Sequence, residues 1–525
     1  MTGALTMIRF AARRERVRVP VYLLLMGFII LSTAVQSDEL YSTPAERADY
    51  QRSVDANPGL IALVGPPHSL MTVGGDVAWQ WGGIGAVVAG LMSAFIIGRH
   101  TRGEEQTGRS ELLRANVLGR YASTTAALVV VTVANALLAA VVALAMLAVG
   151  EPAAGSIALG ASLGGAGLFF AGVAIVGMQV SETTGGAYGI VGAALGGSYM
   201  LRAAGDVGDG TLSWLSPIGW VQAMRPYADE RWWPLLLLVA GAVLLGAVAL
   251  ALLDRRDDGA GLIAPRPGPA RASRALTNAF GFPARLLRGP LIGWTLGLFL
   301  SGVSVGLTGQ DIDALLGESA EVERLFGQTP GSLVDNYLAV TLAMMALIGA
   351  AFAVQAVLRM RGEETAGRAE PLLATALPRP RWAAGHLAVA AGGSVLVLAA
   401  LGLGTGLADA AVSDDLGRVP LLVGSAVALA PAVWVLAGVA LALVGLAPRL
   451  AAAAWGALGA CFLLLFLGPL LSLPDWLMDL SPFEHVPLLP AADLDVVPLL
   501  VLTAVASGFA AVGVAGLRRR DVPTV

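Results

Sequence analysis

RGEEQTGRSELLRA, residues 102–115, returns 259 positions later as RGEETAGRAEPLLA, residues 361–374. Nine of the fourteen aligned positions are identical, without a gap. Each copy follows a long apolar segment and precedes another after a short polar interval, so the same polar cassette stands twice in an apolar chain. Identity at one fixed offset predicts that the chain is an internal duplication with two equivalent halves.

The composition is typical of a membrane protein. Of the 525 residues, 56% are hydrophobic and 13% charged, and the mean hydropathy is +0.74. That leaves too little polar surface to cover a soluble globule of this size. Apolar runs of about 20 residues, each long enough to cross about 30 Å of hydrocarbon as a helix, recur along the chain. We predict an all-α polytopic membrane protein with twelve transmembrane helices, at residues 20–36, 78–98, 122–149, 155–180, 186–204, 232–253, 290–308, 337–358, 384–407, 421–446, 450–471 and 494–517.

These spans divide into two tandem six-helix repeats. We predict a first half over 1–262, a cytosolic linker with a second elbow helix over 263–289, and a second half over 290–525. The linker is rich in Pro, Gly and Arg. We expect its basic stretch to correspond to the C-terminal LRRRD, residues 517–521, which would close the second half.

An interfacial elbow helix is predicted before the first span of each half. In residues 4–18, Leu5, Ile8 and Ala12 fall at helical spacing, and arginines occupy the other side. Pro20 then opens the first span, at a position where a helix tolerates a missing amide. ARLLRGPLIGW repeats this entry in the second half, where Pro290 takes the place of Pro20.

The arginine distribution predicts the orientation. There is no lysine, and 26 of the 33 arginines fall in segments that an inside N-terminus would place in the cytosol. Because basic residues near helix ends are retained in the cytosol, we expect both termini and both cassettes to face it.

Several kinds of chemistry have no support in the sequence. No GxxxxGK[ST] loop is present to cradle ATP phosphates, and no HExxH or CxxC pattern suggests a metal site. The four histidines fall in four separate regions, and the single cysteine, Cys461, lies in an apolar run. A net charge of −4 gives no reason to expect nucleic acid. No Asp or Glu lies well inside a predicted span, which argues against a proton-driven carrier.

A role as a positively charged membrane anchor does not explain the whole pattern of the cassettes. An anchor explains arginines, but not paired glutamates, a Gly-Arg pair and a further Glu at the same spacing in both halves. A short cytosolic helix starting near Ser110, or near Pro371, would present charged residues at its N-terminus. Twin charged helices suit a two-fold partner. We expect the paired glutamates to be solvated, so that reversing their charge would spare helix packing.

With these features the chain resembles the permease subunits of bacterial ABC exporters of the drug and polyketide-antibiotic resistance group, in the ABC-2-like or type V superfamily. The resemblance rests on the elbows, the cassettes, a Ser-Pro outer element before the last span of each half and the basic close. It implies a multi-pass protein of the bacterial plasma membrane that binds no cofactor itself. It also implies that two copies of a separate ATPase subunit, which bind ATP and Mg, dock on the cassettes and elbows. The docking residues it implies are Arg102, Glu104, Glu105, Arg109 and Glu111, and Arg361, Glu363, Glu364, Arg368 and Glu370.

The resemblance also implies that the second and fifth spans of each half line a substrate pathway. The candidates are Gln80, Tyr188, Met344, Phe352, Trp455 and Phe462. Core packing is the alternative for each residue taken alone. The predicted function is ATP-driven export of hydrophobic or amphipathic drugs and antibiotics, by a transport subunit that is not itself an enzyme. The alternatives are an ion-coupled twelve-helix carrier and an exporter of lipids or cell-envelope precursors.

Overall fold

A computed structural model of the chain describes residues 3–55, 58–108, 118–257, 259–263, 270–309, 332–468 and 473–521. The chain divides into two compact units, Met1–Pro267 and Gly268–Val525. Throughout the described ranges the regular structure is helical, with no β-strand.

The first unit contains eleven described α-helices. In chain order they are α1 (Ala4–Glu15), α2 (Arg18–Leu40), α3 (Pro44–Asp55), α4 (Pro58–Leu63), α5 (Val73–His100), α6 (Arg102–Gln106), α7 (Ala122–Ala148), α8 (Ala153–Val180), α9 (Thr184–Val207), α10 (Pro217–Ala223) and α11 (Trp233–Leu253).

The second unit contains nine described α-helices. They are α12 (Gly281–Gly309), α13 (Leu333–Thr365), α14 (Ala369–Leu373), α15 (Arg379–Ser413), α16 (Arg418–Ala428), α17 (Ala430–Leu446), α18 (Ala453–Leu467), α19 (Asp475–Met478) and α20 (Val496–Arg519). Helix α5 of the first unit and helix α13 of the second each run toward a cassette. We call that end of each unit the cassette end and the other end the opposite end.

The structure has the helices of a polytopic membrane protein. Ten helical segments of the described chain are long and apolar enough to cross a bilayer, with α16 and α17 forming one of them. The predicted fifth and eleventh spans fall on α9 and α18, which do not reach that standard. Helix α18 is 15 residues long, and α9 has a low hydropathy because seven of its 24 residues are glycine. Each of the two helices takes the place of the predicted fifth span of its unit.

The second elbow differs from its prediction. Residues 281–289 form the first turns of the 29-residue helix α12, which continues through Pro290. The side chain of Asn278 starts this helix, because its Oδ1 accepts hydrogen bonds from the amides of Phe280 and Gly281 at 2.9 and 2.7 Å. The second unit therefore has no separate elbow helix within its described part, whereas α1 of the first unit is separate from α2.

Helix α1 packs on the rest of its unit through a face that does not include the predicted apolar stripe. Met7, Ala11 and Glu15, spaced four residues apart, are its buried residues. Met7 packs on the start of α7, and Leu5 is 60% exposed. Glu15 belongs to this buried face because it pairs with Arg99 and His100 of α5. The stripe of Leu5, Ile8 and Ala12 lies outside it, so its insertion into a membrane interface stays a prediction.

Two helices form the centre of each unit. In the first, these helices are α5 and α8. Within their most apolar stretches, 67% and 72% of the residues are buried. Asn135 of α7 donates a 2.9 Å hydrogen bond to Ser93 of α5, and a Cβ atom on Gly167 of α8 would lie 1.7 Å from its Oδ1. Glycine is therefore required where the three helices meet. In the second unit the centre is α13 with the α16–α17 segment.

A cap made of residues 41–55 and 58–72 covers the opposite end of the first unit. It contains α3 and α4, and α9 holds it. Arg202 donates to the carbonyls of Ala62 and Leu63 at 2.9 and 2.7 Å, and the Tyr199 hydroxyl donates to the Leu63 carbonyl. Because the last carbonyls of a helix lack partners within it, these bonds fix the end of α4.

Candidate functional site

The first cassette begins in a network of buried ion pairs. Glu105 accepts hydrogen bonds from Arg102 at 2.7 Å and from Arg256 at 2.6 and 3.0 Å. Arg102 is 1% exposed and also donates to the Met178 carbonyl at the end of α8. Glu104 pairs with Arg14 of α1. The paired glutamates thus join α6, α1 and the segment after α11.

The second cassette contains a corresponding network. Glu364 pairs with Arg361 at 3.1 Å and with Arg520, which follows α20. Glu363 pairs with Arg359 at 2.9 Å and with Arg368 at 2.7 Å. The second glutamate is therefore bound the same way in both units, whereas the first has a partner on α1 in the first unit and local partners in the second.

A further pair of arginines, 259 positions apart, has matching contacts. Arg120 donates to the carbonyls of Leu253 and Arg256 at 2.6 and 2.8 Å. Arg379 donates to the carbonyls of Leu517 and Arg520 at 3.4 and 2.6 Å. Each closes the C-terminal end of the last long helix of its unit, where carbonyls lack helical partners.

The expectation that the paired glutamates are solvated was wrong. Glu104, Glu363 and Glu364 are 7%, 1% and 2% exposed, and the side chain of Glu105 is 11% exposed. The sequence shows that these carboxylates lie beside a helix end. It does not show that Glu104, Glu105 and Glu364 meet arginines more than 80 residues away in the chain. Reversing their charge would therefore disturb the fold.

Only two of the five predicted docking residues of the second cassette are exposed. Arg368 and Glu370 are exposed at the start of the five-residue helix α14, which has Pro371 as its third residue. The hydrogen bonds with Glu363 raise the pKa of Arg368 above its ordinary value. The predicted counterparts Arg109 and Glu111, and the helix expected near Ser110, lie outside the described residues.

A cavity of about 620 Å³ opens beside the first cassette. It lies within the first unit, between the cassette ends of α2, α5 and α9. Val17, Val21, Met92 and Phe95 supply apolar wall. Its size lies within the range of small-molecule sites, about 300–1,000 Å³, and its mixture of apolar wall and a few polar groups is typical of them.

Tyr188, a predicted pathway residue, lines this cavity. Its ring packs edge-on against Phe95 with centroids 5.4 Å apart. It reaches α5 because residue 98 is glycine, where a Cβ atom would lie 2.4 Å from the Tyr188 hydroxyl. That hydroxyl has no hydrogen-bond partner among the described residues, so it can bond a ligand.

The other pathway candidates are not gathered in one place within their units. Gln80 lies near the opposite end of α5, where it donates a 3.1 Å hydrogen bond to Asp76. Phe352 is fully buried in the core against Gly393, in keeping with core packing, the alternative given for each candidate. Met344 is half-buried on the same helix. Trp455 and Phe462 are 43% and 41% exposed on α18.

Two buried carboxylates lie near helix ends, beyond the limits of the predicted spans. Asp409 falls in α15 because that helix runs to Ser413, and it pairs with Arg418 at 2.6 Å. Asp76 is in the first turn of α5 and is fully buried, with its Oδ2 unpartnered. In the described part of the chain, no group of three or more His, Cys, Asp or Glu is placed to hold a metal ion.

Comparison with known proteins relates this architecture to a family. Residues 276–518 match a family model described as the C-terminal domain of the multidrug efflux system permease Rv1217c. The multidrug efflux system permease protein Rv1217c of Mycobacterium tuberculosis is 41% identical over 528 residues, which cover 99% of this chain and 95% of that protein. The chain belongs to the Rv1217c permease family. As a member of that family, with ten long apolar helices in the described chain, it is embedded in a membrane.

Proposed function

We propose that the chain is the membrane-spanning permease of a multidrug exporter. The observation that carries the proposal is the full-length similarity to a permease whose name describes multidrug efflux. The cavity at Tyr188 supports it, because an apolar chamber with few polar groups suits varied hydrophobic or amphipathic molecules better than one tightly specified substrate.

We further propose that ATP drives the export through two copies of a separate ATPase subunit of the ABC type. The support is the resemblance of the two cassettes to coupling segments of ABC-2-like permeases and the absence of a phosphate-binding loop in the sequence. ATP and Mg would be bound by the partner subunits. Both cassettes and both termini would then lie in the cytosol, in keeping with the arginine distribution.

Within this proposal, the buried networks hold the docking segments in place and the exposed residues touch the partner. Arg368 and Glu370 are the exposed charges at the start of α14. Buried Glu363 and Glu364 tie that segment to α13 and to the end of α20. A displacement of the docked partner would thereby be transmitted to the long helices.

Copurification tests the partnership. The chain is expressed together with an ABC ATPase encoded beside its gene and isolated through a tag on the chain. We expect a complex with two ATPase subunits per chain, and ATP hydrolysis by the complex but not by the chain alone. ATP hydrolysis by the chain free of other proteins, or transport driven by a proton gradient without any ATPase, would overturn the proposal and favour an ion-coupled carrier.

A further inference from the structure

The charges around the cavity of the first unit are unequal. The charged side chains that line it are Glu15, Arg18 and Arg99. Glu15 is 4% exposed, and its Oε1 lies 3.2 Å from Arg99 Nη1 and 2.8 Å from His100 Nε2. This carboxylate therefore already has two partners from α5.

Arg18 has no such partner. Its side chain is exposed and lines the cavity, and no carboxylate of the described residues lies within ion-pair distance of it. Because a guanidinium carries five N–H donors and no acceptor, it can bind a carboxylate, sulfonate or phosphate through two parallel hydrogen bonds. Arg99 is 26% exposed and adds positive charge on the same side.

The available hydrogen-bonding groups favour the same kind of ligand. The Tyr188 hydroxyl has no partner in the described part of the chain, and the Thr184 hydroxyl donates to Gln106 at 2.9 Å and can still accept. Within the described residues, a cation and a hydroxyl without partners thus face a ligand, whereas the carboxylate of Glu15 is already paired. An amphipathic cation would meet two arginines and would have to compete with Arg99 and His100 for Glu15.

We infer that this cavity binds amphipathic anions: molecules with an apolar body, which would lie against Val21, Met92 and Phe95, and an acidic head group, which would pair with Arg18. The inference deepens the proposed export function, on which it rests for the fate of the ligand. The same chemistry occurs in an exported lipophilic acid and in an anionic phospholipid of the membrane. Both are amphipathic anions, and the experiment separates them.

The test compares two fluorescent probes with the same dansyl-alkyl body, one ending in a carboxylate and one in a trimethylammonium group. Each is titrated onto the full chain, without an ATPase, in nanodiscs of zwitterionic phosphatidylcholine. We expect the anion to bind about tenfold more tightly, the effect of one charge-assisted pair. Equal affinities, or tighter binding of the cation, would overturn the inference.

Substitutions test whether the preference for the anionic probe arises at Arg18. Arg18→Gln should reduce the preference to about threefold or less, and Arg18→Glu should favour the cationic probe. Arg16→Gln is the matched control, because Arg16 is exposed on the same segment but does not line the cavity. Gly98→Ala should weaken both probes by forcing the Tyr188 ring into the cavity. An unchanged preference in both Arg18 variants would overturn the assignment to this cavity.

Lipid analysis separates the two sources of the anion. If phosphatidylglycerol copurifies with the wild type but not with Arg18→Glu, and displaces the anionic probe, the ligand is a resident lipid. If the probe binds without such competition, the ligand is an exported acid. Binding is measured without ATP, so a lost preference together with intact export would overturn this inference alone. An intact preference without ATP-driven export would overturn the proposed function alone.

Discussion

Arg256 and Arg520 are equivalent arginines: each follows the last long helix of its unit and pairs with the second glutamate of that unit's cassette. The distance from Arg256 to Glu105 is 2.6 Å. Each pair links residues more than 150 positions apart and closes the cassette end of its unit. The matching network is the structural counterpart of the repeated sequence RGEE.

Removing one of these arginines should destabilise the chain. In Arg520→Met, Glu364 keeps Arg361 but loses its other partner while remaining buried, which should cost about 1–3 kcal/mol. Arg519→Met is the control, because Arg519 is exposed and makes no ion pair in the described structure. Thermal unfolding in detergent should show a lower Tm for Arg520→Met only. Equal Tm values would mean that the pair does not hold the cassette.

The exposed glutamate of α14 should affect docking without affecting stability. Glu370→Arg places a positive charge toward any basic surface on a partner, and like charges that face each other across an interface cost several kcal/mol. We expect weaker ATPase copurification at an unchanged Tm. Asp475→Arg, at the opposite end of the second unit, is the charge-matched control. Equal copurification of both variants with wild type would remove Glu370 from the interface.

The paired glutamates should behave differently from Glu370. In the double variant Glu363→Arg and Glu364→Arg, new cations would be buried beside Arg359, Arg361 and Arg520. An unpaired buried charge is strongly destabilising, by about 3–5 kcal/mol. We expect poor expression and a lower Tm before any effect on docking can be measured. A normal Tm would show that these carboxylates are solvated after all.

Arg202 should fix the position of the cap that contains α3 and α4. Arg202→Met removes two hydrogen bonds to the end of α4 and the partner of Asp206. We expect faster amide hydrogen exchange in residues 58–72, with little change in α8. Arg231→Met, an exposed arginine elsewhere at that end, is the control. Protection equal to wild type would show that other contacts suffice to hold the cap.

The sequence predicted the helices well because hydropathy and length are local properties. Residues 122–149 were predicted as a span and form α7 over Ala122–Ala148. The errors arose where distant residues decide the outcome. Glu364 is buried because Arg520, 156 positions later, pairs with it. Tyr188 lines a cavity because Gly98, on another helix, leaves room for its ring. No pattern within one segment reveals either contact.

Transport into reconstituted vesicles tests whether ATP hydrolysis by a partner subunit drives export through this chain. Inside-out vesicles containing the chain with its ATPase, the chain alone, or the complex carrying an ATPase variant unable to hydrolyse ATP are given a fluorescent amphipathic substrate. We expect accumulation inside the vesicles on addition of ATP and Mg for the complete complex only. Accumulation by the chain alone under a proton gradient, or no ATP-dependent accumulation by an intact and hydrolytically active complex, would contradict it.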